Sequence, residues 1–169
     1  MARNVEIKAR LKNLDVLEKV ALLAGNEGKV FPQVDHYFNS PNGRLKLRFS
    51  GESSSELVFY NRSDSVGPKL SKYNKIFIDD GSAMLQLLTN ALGKRGVVSK
   101  KRHLFMIGNT RVHIDDVDNL GNFIEFEVIL KDDQTMDSGV QVAEQLMEEL
   151  NIEKENLISC SYIDLCTNL

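Results

Sequence analysis

The sequence predicts an α+β domain built on eight mainly antiparallel strands, and three observations carry that prediction. Five short stretches place ionisable residues at every second position with apolar residues between them. The dipeptides Asn42-Gly43 and Gly108-Asn109 are tight-turn signals between strand-like runs. Apolar residues recur at helical spacing in only three main segments. With 169 residues, 42% apolar and 27% charged, the chain reads as one domain spanning 1–169, large enough to bury its own core.

The elements follow in order. A strand over Asn4–Arg10 is succeeded by a helix that Asn13 caps, with Leu14, Leu17, Val20, Ala21 and Leu23 on one stripe and Gly25 at its end. Strands at Val34–Phe38 and Arg44–Phe49 flank the Asn42-Gly43 turn, and Glu56–Arg62 and Leu70–Ile78 supply the fourth and fifth. Ser82 is the expected cap of a second helix closed by Gly93. Strands at Val97–Ile107, Thr110–Val117 and Asn122–Leu130 form a meander, and a third helix covers Val140–Leu150. The segment Ser161–Leu165 reads as a further short ordered piece.

The charges are sorted by sign. Side chains alternate faces along a strand, so Glu6 and Lys8 share a face, as do Arg44, Lys46 and Arg48, Lys100 and Arg102, Arg111, His113 and Asp115, and Glu125 and Glu127. Val5, Ile7, Leu45, Leu47, Val112, Ile114, Ile124, Phe126 and Val128 take the opposite faces. A solvated face usually interleaves both signs, whereas here a basic surface would confront a carboxylate cluster, a combination suited to a polyphosphate carrying a divalent metal. Two architectures accommodate the pattern. An open sheet would turn its charged faces to water, and a closed barrel would enclose them in a polar lumen with helices packed outside. Periodicity leaves both open.

Other classes are disfavoured. A net charge of −3 argues against general nucleic-acid binding. No stretch approaches membrane-spanning length, and the charged start MARNVEIKAR lacks the apolar run of a secretion signal, so a cytoplasmic location is expected. Cys160 and Cys166 lack metal-ligand spacing and read as reduced thiols. There is no GxGxxG, P-loop or nucleophile elbow.

In order along the chain, VEIK, KLR, the K-x-R of SKKR, the Asp of HIDDV and the E-x-E of NFIEFEV together resemble the CYTH superfamily, or triphosphate tunnel metalloenzymes, most closely its class IV adenylyl cyclase-like branch. The resemblance runs from Asn4 to about Leu165. It implies an eight-stranded antiparallel barrel with a charged lumen, a triphosphate small molecule as partner, and Mg²⁺ or Mn²⁺ as cofactor. Carried onto this chain, the metal ligands would be Glu6, Asp115, Glu125 and Glu127, because these cations prefer carboxylate oxygens. The phosphate ligands would be Lys8, Lys46, Arg48, Lys100, Arg102 and Arg111. Arg62 and Lys69 bracket the loop SDSVGP and are further phosphate candidates, with solvated side chains as the plain alternative. Exposed strand acids balanced by lysines are the plain alternative for Glu125 and Glu127.

One departure stands out. The family signature E-x-E-x-K reads NVEIK here, so Asn4 replaces the first glutamate and offers a neutral oxygen as a further metal candidate. Lys46 stands where arginine is common and meets phosphate as a point charge rather than a fork. His113 is expected to support its neighbours, and Tyr60 and Tyr73 to pack. Three functions remain in contention: metal-dependent triphosphate hydrolysis, cyclisation of ATP with release of pyrophosphate, and binding without catalysis. Oligomeric state, monomer or homodimer, is not legible.

Overall fold

The computed structural model describes residues 1–51 and 54–167. Its strands are β1 (Ala2–Leu11), β2 (Lys29–Phe38), β3 (Arg44–Ser50), β4 (Ser54–Arg62), β5 (Lys69–Phe77), β6 (Lys94–Ile107), β7 (Thr110–Val117) and β8 (Gly121–Leu130). Its helices are α1 (Val16–Ala24), α2 (Gly81–Leu92), α3 (Met136–Glu149) and α4 (Tyr162–Thr167), with a 3₁₀ turn at Lys154–Asn156. The strands close into a barrel in the order β1-β5-β4-β3-β2-β6-β7-β8, and every pairing is antiparallel. The pairing of β1 with both β5 and β8 closes the sheet, so of the two architectures the sequence permits, the closed one forms.

Several boundaries differ from the expected ones for identifiable reasons. β2 begins at Lys29, not Val34, because Lys29–Gln33 pair with Lys100–Leu104 of the long β6. Pro32 signals a break there, yet its carbonyl still accepts from Gly51 N. The α2 cap is Asp80, whose carboxylate accepts from Ala83 N, in place of Ser82. Asn13 does not cap α1 directly. Its Oδ1 accepts from Asp15 N, and Asp15 is the N-cap residue. Gly25 closes α1 in the left-handed conformation at φ 69°, as its position suggests. α3 starts one turn before Val140, with Thr135 accepting from Ser138 N. Gly139 in that added turn is needed for packing: a Cβ there would lie 2.6 Å from Val5 Cγ2.

The main core lies outside the barrel. Val5 and Ile7 of β1, Phe105 of β6, Val112 and Ile114 of β7, and Ile124, Phe126 and Val128 of β8 point outward and bury under Val16 and Val20 of α1 and Ala143, Leu146 and Met147 of α3. A second apolar cluster fills one end of the lumen itself. There Tyr37, Val58, Tyr60, Val98, Val117 and Phe123 pack against Tyr162 and Ile163 of α4. Asp164 of α4 is tied to Arg44 at the start of β3, 3.0 Å away, and to Arg95 at the start of β6. Among the described residues, α4 thus covers this end of the barrel and the opposite end forms the mouth. Among them also, no helix is long and apolar enough to cross a membrane.

Candidate functional site

The lumen encloses a cavity of about 300 Å³ lined by the sign-sorted strand faces. On the wall made by β2, β3 and β6, one carboxylate gathers three cations. Asp35 accepts from Lys46 Nζ at 3.1 Å, from Arg48 Nε and Nη2 at 2.7 and 2.9 Å, and from Lys100 Nζ at 2.9 Å. The register sets this up, since Asp35 lies directly across from Arg48 in the β2–β3 pair. Asp35 is 1% exposed. Burial alone would raise its pKa, but Arg48, Lys100 and Lys46 together hold it well below the usual carboxylate range. Burial lowers the amine of Lys46 to about 7, helped by repulsion from Arg48. Burial likewise brings Lys100 down to about 8 against the pull of Asp35. Beneath the cluster are aromatic rings: Lys46 Nζ stands 5.6 and 5.5 Å from the centroids of Tyr37 and Tyr60, and Lys100 Nζ 5.6 Å from that of Tyr162.

The facing wall, on β1, β7 and β8 with Arg62 from β4, holds acids and bases in closely matched pairs. Glu127 accepts from Arg111 Nε at 2.6 Å, and Glu6 from Arg62 Nη1 at 2.7 Å. Glu125 lies 3.8 Å from Lys8 Nζ and 3.4 Å from Arg102 Nη2. Burial would raise its pKa, yet Lys8 leads the neighbours that hold it well below the ordinary range. Glu6 sits directly opposite Glu127 in the β1–β8 register. Burial raises its pKa, Arg62 opposes the rise, and repulsion from Glu125 and Glu127 adds to it. Asp115 is the most enclosed acid, 0% exposed. It takes both prongs of Arg102 at 2.7 and 2.6 Å and the Tyr162 hydroxyl at 2.9 Å. Despite burial, Arg102 brings its carboxyl down to about 2. The Tyr162 ring also carries Lys8, whose Nζ lies 3.9 Å from its centroid.

Of the residues singled out in the sequence, Asn4, Glu6, Lys8, Lys46, Arg48, Arg62, Lys100, Arg102, Arg111, Glu125 and Glu127 all line this one cavity. Lys69 does not. It sits on the lumen face at the very start of β5, but its ammonium donates to the carbonyls of Ser65 and Ser159, tying the 63–68 loop to the C-terminal segment. Asp115 is inward but its oxygens are taken by Arg102 and Tyr162. Arg44 belongs to the closed end with Asp64 and Asp164. His113 Nδ1 stands 3.9 Å from Glu125, beyond hydrogen-bond reach. Asp35 and Tyr162 are the residues that sequence reasoning missed. The alternation Gln33-Asp35-Tyr37 was a faint signal for the first, since all three line the cavity. The second lies in the short ordered piece Ser161–Leu165, whose sequence suggests an anchor to the barrel and no chemical role.

Whether the acids suit a hard divalent cation can be judged from the donors. All are oxygens, and Asn4 Oδ1 is a buried oxygen with no hydrogen-bond partner, on the same strand face as Glu6. Among the described residues no three His, Cys, Asp or Glu side chains converge as a preformed cage, because Arg62, Arg111 and Lys8 draw the carboxylates apart. Magnesium commonly takes one or two carboxylates and completes its shell with water and phosphate oxygens, and Glu6, Glu125 and Glu127 fit that role.

A closed antiparallel barrel whose lumen is lined by paired charges places the protein in the tunnel-barrel class. The chain belongs to the CYTH domain family, which matches residues 2–162. It is 30% identical over 175 residues to a provisionally named adenylate cyclase of Methanocaldococcus jannaschii, covering 95% of this chain and 97% of the relative. It is 25% identical over 173 residues to an adenylate cyclase of Aeromonas hydrophila, covering 96% and 87%. The fold is shared with a Pyrococcus horikoshii protein at TM-score 0.84 and 21% identity, covering 96% of this chain and 98% of that one. It is shared more loosely with a Hippeastrum protein at TM-score 0.66 and 14% identity, covering 98% and 95%, which is described as having a dominant triphosphatase activity.

Proposed function

We propose that this protein binds a triphosphate-containing small molecule in the lumen and hydrolyses it with the help of Mg²⁺ or Mn²⁺. The observation that carries this reading is the unequal charging of the two walls. The Asp35 cluster has three cations for one acid, while Glu6, Glu125, Glu127 and Asp115 face Lys8, Arg62, Arg102 and Arg111 in equal number. The surplus of positive charge is therefore local, and it lies across a narrow cavity from carboxylates of the kind that hold a divalent cation. Glu6, Glu125 and Glu127 would hold such a cation, which would supply neutralisation of the charge that develops in phosphoryl transfer.

The chain's own residues supply the rest. Arg48 and Lys100 fix a phosphate at the basic wall, and Arg48 offers a planar fork for its oxygens. Arg111 and Arg62 orient the carboxylates opposite. The apolar cluster at the closed end keeps bulk water from that side, which strengthens every charge interaction in the cavity. A second reading, cyclisation of ATP, draws on the names of the two relatives and on Phe31 and Leu104, apolar residues facing inward near the mouth where an organic group could lie.

The test is a metal-dependent assay with ATP, thiamine triphosphate and inorganic triphosphate that measures phosphate, pyrophosphate and cyclic AMP separately. Hydrolysis predicts phosphate release with no cyclic AMP. Glu125→Ala and Glu127→Ala should each lower metal-dependent turnover by two orders of magnitude or more, measured at a temperature where each variant is still folded. Full activity in both variants would refute the assignment of these carboxylates.

A further inference from the structure

Asp35 is neither a conventional phosphate ligand nor placed as a metal ligand, since all its neighbours are cations. It nonetheless accepts four hydrogen bonds from three cations. We propose that Asp35 is a positioning residue, a fixed counter-charge that gathers Lys46, Arg48 and Lys100 into one cradle for the terminal phosphate of the ligand without itself touching that ligand. The inference rests on the triphosphate reading above and adds to it the place where the chain of phosphates ends.

Three like charges do not converge unaided. Lys46 comes from β3 opposite Tyr37, Arg48 from β3 opposite Asp35, and Lys100 from β6 opposite Gln33, and each reaches the same carboxylate. Two of these contacts, from Lys46 and Lys100, share the single oxygen Oδ2, which also takes one prong of Arg48. With both lysines protonated, below about pH 7, one negative charge among three positive ones leaves a net charge of two, the complement of a terminal phosphate, which carries nearly two negative charges above its second pKa near 6. The cluster is otherwise enclosed. Tyr37 of β2, Tyr60 of β4 and Tyr162 of α4 lie beneath the amines. Arg102 of β6 is committed to Asp115 of β7, and Glu56 of β4, across from Arg48, is committed to Lys75. Asp35 is thus the only acid in contact with the three cations among the described residues.

Removing that charge has a consequence that simple loosening would not have. Lys46 and Lys100 already sit at about 7 and about 8 with Asp35 present. Without it, burial and mutual repulsion act unopposed and both amines lose their protons at lower pH. The anion site should then discharge within the neutral range.

The experiment is calorimetric titration of inorganic triphosphate, without divalent metal, into wild type and Asp35→Asn from pH 5.5 to 9. Titration of the ligand itself is common to both proteins and cancels in the ratio of their affinities. Wild-type affinity should fall through pH 7–8. In Asp35→Asn the fall should shift down by one pH unit or more, giving at least tenfold weaker binding at pH 7.5 but equal or tighter binding at pH 5.5, where the amines are charged and no carboxylate competes. A uniform loss at every pH, or an unchanged midpoint, overturns the inference. Lys46→Arg with Asp35 intact gives an independent reading should Asp35→Asn not fold: removing the amine that titrates at about 7 should move the fall in affinity up toward 8, and an unmoved fall overturns the inference. Wild-type protein that binds no triphosphate at any pH would instead overturn the functional reading, and this inference with it.

Discussion

The two walls of the lumen solve the problem of buried charge in opposite ways. On the carboxylate wall acids and bases match in number, with Arg102 reaching both Asp115 and Glu125, and Asp115 with Arg102 is the tightest pair. On the cationic wall one acid serves three bases. A matched buried pair contributes little net stability, but losing one partner exposes the full desolvation cost of the other. A shared centre tolerates the loss of a base, because two remain. The first wall is therefore fragile and close to neutral, and the second is robust and charged. The spare charge that the proposed anion would need lies on the second wall.

This contrast can be broken by mutation, and the largest effect is expected on stability. Arg102→Ala leaves Asp115, 0% exposed, with only the Tyr162 hydroxyl, and should lower unfolding free energy by about 3–5 kcal/mol. Urea denaturation at pH 7 measures this, and a loss below about 1 kcal/mol would mean that Asp115 finds another partner. Arg48→Ala should behave the other way. Asp35 keeps Lys46 and Lys100, so stability should change much less than in Arg102→Ala. Affinity for triphosphate should drop about tenfold or more, as expected for a lost charge-assisted hydrogen bond of roughly 1.5–3 kcal/mol. An unchanged dissociation constant would place the anion elsewhere.

A third effect is a slope, of at most about 1.4 kcal/mol per pH unit for one lysine. Lys46 holds its proton only up to about pH 7 in the folded protein, whereas an unfolded lysine holds it to about 10.4. Between these values the unfolded state binds more protons, so stability should rise with pH from 7 toward 10. Below pH 7 the fold carries the full cost of a buried ammonium. Lys46→Met should flatten this slope, leaving the shallower one that Lys100 contributes above about 8. A slope equal to that of wild type would show that Lys46 titrates normally.

The carboxylate wall was largely legible in the sequence, because Glu125 and Glu127, Arg111 and Asp115, and Glu6 and Lys8 repeat ionisable residues at strand spacing. The heart of the cationic wall was not. Asp35 is a lone acid flanked in its alternation by Gln33 and Tyr37, a pattern common on ordinary exposed strands, and its meaning appears only when β3 and β6 bring three cations to it. Closure of the barrel depends on β1 pairing with β5, a contact far apart in sequence that periodicity does not encode. Lys69 is legible only as a residue bracketing the 63–68 loop, and nothing in that position specifies the carbonyls of Ser65 and Ser159 that capture its ammonium. Tyr162 reached the lumen for a similar reason, carried in by a short helix whose sequence looks like any amphipathic tail.

That short helix governs traffic. With α4 and its apolar cluster across one end, the cavity is a cul-de-sac, and whatever enters must back out through the doorway it came in by. A linear polymer can present only its terminus to such a chamber and cannot thread through it. If the lumen carries out the hydrolysis proposed above, products would queue behind one another, with the piece held deepest leaving last, and an accumulating product that fits the doorway would compete directly with fresh substrate.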